Sequence, residues 1–316
     1  MKLATSYFGC RIVRHVRRDM QRLQRLGFRR VIHTFSENDL TYSRGTMKQI
    51  VEVSREAGLE VLLDPWGVAG VFGGEAFSRW IIEDPDLVQR GPSGRPLGGA
   101  CLNHPRLVQR MREWIDAAAE CHPDGLFWDE PHWAPEGPSN PDGEACVCEH
   151  CRKRGNRAGA VVRLLRRLSA YADRRGLWSS VCVLPRDTLD QPPLDWKRIA
   201  RIPEVREFGT DPYWQAFGIR GPKARNAFVD DNATAALAAA RAGNAECMLW
   251  VQAFRVPAAG EDDLLEGARR LAAHRPETIA IWGFEACAHM SELACARPER
   301  VWRRLVSALR KAAGRP

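Results

Sequence analysis

The sequence lacks both a long hydrophobic run and an export signal. Its longest apolar stretches, residues 181–185 and 248–251, fall far short of the roughly 20 residues that cross a bilayer, and residues 1–10 lack the apolar core of a signal peptide. We therefore expect a cytoplasmic protein with no membrane partner.

Lysine is scarce. Arginine supplies most of the 47 basic side chains, and the formal net charge is +8. The arginines recur at spacings of three or four residues, which places them on solvated faces of amphipathic helices, as in Arg14, Arg17, Arg18, Arg22 and Arg25. No zinc-finger, RRM or helix-turn-helix pattern accompanies them, so we expect no nucleic-acid partner.

Several enzyme signatures are also missing. The predicted strands and their ends carry no lysine, which argues against a Schiff-base aldolase. The first predicted strand carries no H-x-H metal pair, the cysteine spacing is not that of radical enzymes, and no G-x-G-x-x-G follows a strand to hold a dinucleotide.

What is present is a regular alternation of two patterns. Short, mostly apolar β-type runs occupy residues 3–8, 30–35, 60–65, 125–129, 178–184, 207–211, 247–253 and 278–284. Helical patterns follow them at residues 13–26, 44–57, 106–119, 158–175, 195–201, 234–242, 262–274 and 298–312. Eight such units favour an α/β fold, a closed (β/α)8 TIM barrel, over a doubly wound sheet.

The length of 316 residues fits one barrel, and no repeat or long linker divides the chain. We therefore predict a single domain over residues 1–316. Two connections, residues 66–105 after the third strand and 131–157 after the fourth, are much longer than usual βα loops. In a barrel both lie on the C-terminal face, where active sites are built.

Cysteines concentrate in these two long loops. Cys146, Cys148 and Cys151 form a C-x-C-x-x-C group in the second loop, and Cys101 lies in the first. Because four thiolates are the preferred closed site for zinc, we predict that these residues bind a structural Zn²⁺ that joins the loops. An iron–sulfur cluster, or four reduced cysteines, is the alternative. The remaining cysteines are expected to be small buried hydrophobic residues.

Acidic and aromatic side chains gather at the predicted strand ends. The fourth strand ends in Asp129-Glu130-Pro131-His132-Trp133, the sixth in Asp211-Pro212-Tyr213-Trp214, and the eighth in Trp282-Gly283-Phe284-Glu285. Other strand ends add polar or aromatic candidates: His33, Ser36, Glu37, Asn38, Asp64, Trp66, Arg186, Gln252 and Arg255. Aromatic rings stack on apolar sugar faces, and paired carboxyl groups suit glycosidic-bond hydrolysis.

Three segments carry a resemblance to known families: Ala100-Cys101-Leu102-Asn103-His104-Pro105, Asp124-Gly125-Leu126-Phe127-Trp128-Asp129-Glu130, and Cys146-Val147-Cys148-Glu149-His150-Cys151. Together they resemble TIM-barrel glycoside hydrolases. They are similar both to zinc-carrying β-galactosidases and to hypothetical glycosyl hydrolases related to α-L-fucosidases. The resemblance covers residues 95–155.

The two relatives imply different roles. Similarity to the β-galactosidases implies that Glu130 is the general acid/base, but the nucleophilic Glu of their seventh strand is replaced by Gln252. Similarity to the fucosidase-like group implies that Asp129 is the nucleophile and that Asp211 or Glu285 is the acid. The leading hypothesis is a glycosidase that uses Asp129 or Glu130 against Asp211 or Glu285.

In this hypothesis the candidate sugar-binding residues are His33, Asp64, Trp66, His132, Trp133, Arg186, Tyr213, Trp214, Gln252 and Trp282. A catalytically silent carbohydrate-binding barrel is one alternative. A metal-dependent lyase or isomerase is another, and it needs a second metal site drawn from His33, Asp64, His132 and Asp211. Exposed loop aromatics could also serve a homo-oligomer interface.

Overall fold

The computed structural model describes residues 1–155, 157, 159–186, 188 and 194–314. The described strands are β1 (Lys2–Tyr7), β2 (Arg30–Thr34), β3 (Glu60–Asp64), β4 (Val88–Arg90), β5 (Pro96–Ala100), β6 (Gly125–Asp129), β7 (Trp178–Val183), β8 (Val205–Thr210), β9 (Glu246–Gln252) and β10 (Thr278–Trp282). Eight of them form a closed barrel in the order β1-β10-β9-β8-β7-β6-β3-β2. The predicted (β/α)8 fold is confirmed.

All eight barrel pairings are parallel, with β1 closing the ring between β2 and β10. Alternate residues therefore point into the barrel, and all others pack against the surrounding helices. The interior contains one apolar group with large and small members interleaved: Ala4, Ile32, Leu62, Phe127, Cys182, Met248, Trp250 and Ala280.

The N-terminal end of the barrel interior contains a buried ion pair between Arg30 and Glu207. Arg30 Nη1 donates 2.7 Å hydrogen bonds to both carboxylate oxygens of Glu207, and both side chains are buried. Ser180 and Thr278 hydroxyls donate to the same carboxylate at 2.8 Å. A buried acid at this end therefore has its counter-cation beside it.

The described helices are α1 (Val13–Arg25), α2 (Glu37–Tyr42), α3 (Arg44–Glu56), α4 (Trp80–Glu83), α5 (Pro105–Ala119), α6 (Glu149–Arg154), α7 (Ala160–Asp173), α8 (Trp196–Ala200), α9 (Pro222–Gly243), α10 (Glu261–Ala273) and α11 (Pro298–Ala312). None of them is both long and apolar enough to cross a bilayer. The start of the predicted helix at residue 158 lies outside the described residues.

The sixth predicted helix was too short. It was expected over residues 234–242, whereas α9 begins at Pro222. Proline suits the first turn of a helix, because its missing N–H would have no partner there. The first half of α9 is polar, so its hydrophobic periodicity is weak, and periodicity alone detects only the alanine-rich second half.

The loop after β3 is folded rather than extended. It contains short 3₁₀ turns at Val68–Gly70 and Pro85–Leu87, helix α4 and the antiparallel β4–β5 hairpin. The buried carboxylate of Glu37 organises its first part, accepting hydrogen bonds from Ala69 N, Ser78 Oγ, Arg79 N and Trp80 N at 2.6 to 2.9 Å. Glu37 is thus a structural residue at the start of α2.

Candidate active site

Three carboxyl groups face one another at the C-terminal end of the barrel. Asp64 ends β3, Asp129 ends β6, and Asp211 directly follows β8. Leu62 and Phe127, two positions before Asp64 and Asp129, point to the barrel interior. Gly209, two positions before Asp211, is in register with the inward-facing Cys182 and Met248, so all three carboxyl side chains point the same way. Exposed fractions of 0%, 7% and 2% for Asp64, Asp129 and Asp211 show that all three are buried.

Glu130 brings a fourth carboxyl group to this place. Strand alternation would turn it away from Asp129, but its backbone has a φ of 37°, in the left-handed region. Its N–H donates a 3.0 Å hydrogen bond to Cys182 O on β7, which holds the unusual conformation. A non-glycine residue in this region is strained, and such strain concentrates at functional sites.

Gly73 shows where the two neighbouring carboxylates meet. A Cβ atom at this glycine would lie 2.6 Å from Asp129 Oδ2 and 2.9 Å from Glu130 Oε2. The Gly73 N–H also donates a 2.9 Å hydrogen bond to Asp129 O. The loop after β3 therefore covers both carboxylates. We call Asp64, Asp129, Glu130 and Asp211 the carboxylate bowl.

Burial and mutual repulsion favour protonation in the bowl. Burial raises the pKa of Asp64, Asp129 and Asp211 well above the ordinary value, and nearby carboxylates raise it further. For Asp211 the next cause is Glu130, through its charge and a side-chain hydrogen bond. The negative charge of Glu130 thus favours the protonated form of Asp211.

The bowl has unmet hydrogen-bonding capacity. Both carboxyl oxygens of Asp64 and Oδ1 of Asp211 are buried with no hydrogen-bond partner. Among the described residues, the groups that act most strongly on the pKa of Asp64, Asp129 and Asp211 are other carboxyl groups and not Lys, Arg or His. Buried polar groups are normally paired, and the exceptions often mark places where a ligand binds.

Aromatic rings line the bowl. Tyr213 follows Asp211 closely and packs edge-on against Phe254 at 5.4 Å. Phe8 stacks on Trp66 at 5.4 Å and lies 5.7 Å from Trp282. The structure thus places Trp66, Tyr213 and Trp282, three predicted sugar-binding residues, in the aromatic group that continues the barrel interior.

The four loop cysteines lie together. One Sγ atom from each of Cys101, Cys146, Cys148 and Cys151 falls within 4.8 Å of the others. Cys101 Sγ is 3.4 Å from the Sγ atoms of both Cys148 and Cys151. Zn–S bonds of about 2.3 Å in a tetrahedron put sulfur atoms about 3.8 Å apart, so the group fits such an ion. Asn103 Nδ2 donates to Cys151 Sγ at 3.5 Å, which supports the cluster from outside.

Two predicted site residues lie outside the barrel wall, which corrects those predictions. His33 points outward from β2, and its Nε2 lies 2.9 Å from Ser54 Oγ of α3; burial, with a smaller contribution from Arg11, lowers its pKa to about 3. Glu285 forms an ion pair with Arg22 of α1. Its backbone lies in a left-handed turn after β10, with a φ of 50°, and this turn directs it away from the bowl.

Two other predicted binding residues, Trp214 and Arg186, contact neighbouring helices. Trp214 donates from Nε1 to Asp263 Oδ2 at 2.7 Å and packs on Gly267 of α10. The Arg186 guanidinium lies 4.7 Å from the centre of the Trp196 ring. Trp214 is therefore buried against the helix layer, whereas Arg186 is exposed and lies over Trp196 of α8.

The residues after Glu130 stabilise their own loop. His132 Nδ1 lies 2.6 Å from Glu130 O, and its backbone N–H donates to Val71 O at 2.9 Å. Trp133 is buried beneath the Arg157 guanidinium and donates to Arg157 O at 3.3 Å. His132 is thus held near the bowl by the left-handed turn, whereas Trp133 is a core residue of the second long loop.

Sequence reasoning missed three residues that lie next to the bowl. Gly73 and Glu75 sit in a glycine-rich part of the first long loop; the charge of Glu75 acts on Asp129. Cys182 faces the interior of β7 in hydrogen-bond contact with Asp211. Strict alternation along the fifth predicted strand signals the inward position of Cys182, but no sequence signal places Gly73 against Asp129.

The described residues offer one metal-binding group, the four cysteines. The second metal site that a lyase or isomerase would need is not formed by His33, Asp64, His132 and Asp211, because His33 lies on the other side of the barrel wall.

No protein-family model matches the sequence, and no curated protein matches it. Solved structures with this fold are plentiful. The catalytic domain of a β-amylase from Paenibacillus polymyxa matches with a TM-score of 0.63 and 10% identity, over 97% of this chain and 98% of that one. An endo-1,4-β-mannanase from Rhizomucor miehei has a TM-score of 0.65 and 10% identity, over 96% and 92%.

The fold is shared with other chemistry as well. A D-psicose 3-epimerase from Clostridium cellulolyticum H10 matches with a TM-score of 0.51 and 10% identity, over 99% of this chain and 97% of that one. At such identities the matches show a TIM-barrel fold common among glycoside hydrolases. The choice of reaction therefore rests on the carboxylate bowl.

Proposed function

We propose that this protein is a glycoside hydrolase whose catalytic groups are Asp129, Glu130 and Asp211. The observation that carries the proposal is the carboxylate bowl, in which Asp64, Asp129 and Asp211 are buried and, among the described residues, have no paired cation. Aromatic rings cluster at the same end of the barrel. The transition state of glycosidic cleavage resembles an oxocarbenium ion, and carboxylates stabilise its developing positive charge.

Asp211 is the proposed general acid. Burial and the contact with Glu130 keep its proton on at pH values where an ordinary aspartate is ionised. Asp129, once ionised, is the proposed nucleophile, or the carboxylate that stabilises the sugar cation, because only β7 separates its strand from that of Asp211. Since burial and acidic neighbours raise the pKa of Asp129, turnover should increase with pH until this carboxyl is ionised. Glu130, in contact with Asp211, favours this protonated form and orients the Asp211 carboxyl group toward the leaving group.

The cysteine cluster has a structural part in this proposal. Zinc bound by Cys101, Cys146, Cys148 and Cys151 would tie the loop after β3, which carries Gly73, to the loop that follows Asp129 and Glu130. A closed tetrahedral site leaves no open position for substrate, so its contribution is to fix the two loops.

Two substrate classes separate the proposed roles. A 4-nitrophenyl glycoside needs little protonation of its leaving group, whereas a methyl glycoside needs much. We expect Asp129→Asn to lower kcat on both by about 10³-fold or more. Asp211→Asn is expected to lower kcat strongly on the methyl glycoside and much less on the 4-nitrophenyl glycoside of the same sugar.

A panel of 4-nitrophenyl glycosides of common neutral hexoses, pentoses and deoxyhexoses identifies the sugar. Asp173→Asn is the matched control, because Asp173 is exposed at the end of α7 on the opposite end of the barrel. If no glycoside is cleaved while a sugar still raises the melting temperature, the protein is a carbohydrate-binding barrel and the catalytic proposal fails.

A further inference from the structure

A second cavity lies beside the carboxylate bowl. It has a volume of about 670 Å³ and sits between the loops that follow β8 and β9. Its lining includes Gln215, Arg220, Phe254, Arg255 and Asp263. Its position on the C-terminal face makes it reachable by a ligand that also occupies the bowl.

The wall between cavity and bowl is thin. Tyr213, which lies next to Asp211, packs edge-on against Phe254, which lines the cavity. The Gln252 amide fixes this wall: its Oε1 accepts from Ala216 N at 3.2 Å, and its Nε2 donates to Phe254 O at 2.8 Å. Gln252, predicted to bind sugar, thus shapes the cavity.

The charge of the cavity is opposite to that of the bowl. Arg220 Nη1 donates to the carbonyls of Gln215 and Ile219, and Arg255 Nε donates to Glu292 O. Within the described part of the chain, neither guanidinium has a carboxylate within the 4.0 Å of an ion pair. Each is therefore anchored by carbonyl groups and keeps N–H donors for a ligand.

The one acid in the lining is already compensated. Asp263 Oδ1 accepts a 2.6 Å bond from the buried Arg225, and its Oδ2 accepts from Trp214 Nε1 and Gln215 Nε2. These partners lower the pKa of Asp263 against the effect of its burial. The remaining charged side chains of the lining are Arg220 and Arg255, and the charge of Arg255 also acts on the Glu75 carboxyl near the bowl.

We propose that this cavity binds the carboxylate of an acidic sugar, joined to a neutral sugar that sits in the carboxylate bowl. The inference rests on the proposed function and names its substrate class. The bowl repels an anion, since it already concentrates acidic groups, whereas two arginines with free donors attract one. The substrate would thus be a glycoside of a neutral sugar with a uronic acid as its neighbour.

Equilibrium titration of the intact protein tests the assignment without turnover. The probes are D-glucuronate, D-glucose and inorganic sulfate. We expect D-glucuronate to bind more tightly than D-glucose, and Arg220→Gln or Arg255→Gln to weaken it by about tenfold or more. Arg206→Gln, at an exposed position on β8, is the control with no effect. Circular dichroism verifies the fold of each variant.

Three outcomes overturn the assignment. D-Glucuronate that binds no better than D-glucose, or binding that the two arginine variants leave unchanged, removes the anion site. Sulfate that binds as tightly as D-glucuronate shows a site for a bare oxyanion instead of an acidic sugar. Failure of the hydrolase proposal can be told apart from failure of this assignment. In that case D-glucuronate still binds and needs the two arginines, but no glycoside is cleaved.

Discussion

Gly73 packs so closely against Asp129 that no side-chain atom fits between them. The glycine N–H donates to the aspartate carbonyl at 2.9 Å, and a Cβ atom on the glycine would meet Oδ2 of the same aspartate at 2.6 Å. Because the φ of Gly73 is not in the left-handed region, alanine is compatible with its backbone. The space for its methyl group is taken by the carboxylate.

Gly73→Ala should therefore damage the site more than the fold. We expect kcat/KM to fall by about 10²-fold, since a displacement of about 1 Å at a reacting group has effects of this size. Urea unfolding is expected to show a loss of about 1 to 3 kcal/mol. Gly45→Ala in α3, where a Cβ meets nothing within 4 Å, is the control. Equal turnover in both variants would contradict the placement of Asp129.

Asp64→Asn should stabilise the protein at high pH. Burial and Glu130 raise the folded-state pKa of Asp64 above its unfolded value. The stability associated with this carboxyl is therefore full below the unfolded pKa and is lost as the pH rises through the folded pKa. Asparagine mimics the protonated form without that loss. We expect a gain of about 1 to 3 kcal/mol in urea unfolding at pH 8 and almost none at pH 4.

Asp64→Asn should also lower activity while it increases stability, because the Asp64 oxygens have no hydrogen-bond partner and lie at the site. If the variant and the wild type are equally stable at pH 8 as well as at pH 4, burial does not raise the pKa of Asp64 as described.

Glu285→Gln should leave turnover unchanged. The side chain pairs with Arg22 on the outer surface, and both partners are partly exposed. Exposed ion pairs contribute little, so we expect a loss below about 1 kcal/mol. Steady-state kinetics of Glu285→Gln and Asp211→Asn, measured side by side, decides between the two candidate acids. If Glu285→Gln lowers kcat as much as Asp211→Asn does, Glu285 belongs to the catalytic site.

Cys148→Ser should remove bound zinc and lower the melting temperature. Metal analysis of protein purified without chelator is expected to give one zinc per chain in the wild type and in Cys10→Ser, since Cys10 lies outside the cluster. Visible absorption with bound iron would identify an iron–sulfur cluster, and the absence of any metal would leave four reduced thiols.

The barrel and the cysteine cluster were predictable from the sequence for physical reasons. Parallel strands buried on both faces leave continuous apolar runs, and the alternation of such runs with helices determines the order of elements. Long loops of a barrel share one face, which brought Cys101 to the later cysteines. Asp64, Asp129 and Asp211 lie at the C-terminal ends of parallel strands, so the sequence also predicts that they share one end of the barrel.

Positions just beyond a strand were not predictable in the same way. Glu130 and Glu285 both leave their strands with positive φ, at 37° and 50°, yet one turns into the bowl and the other onto the helix layer. The difference comes from contacts distant in sequence, with Cys182 in one case and Arg22 in the other. Local patterns carry no information about such partners.

The barrel has no free strand edge, because its sheet closes on itself, whereas the β4–β5 hairpin is a two-stranded sheet. Unprotected strand edges pair with other chains. Cys101 follows β5 directly, so the cysteine cluster holds this hairpin against the second long loop. Loss of the cluster would then expose the hairpin while the barrel persists, and the protein would aggregate from a folded state before it unfolds.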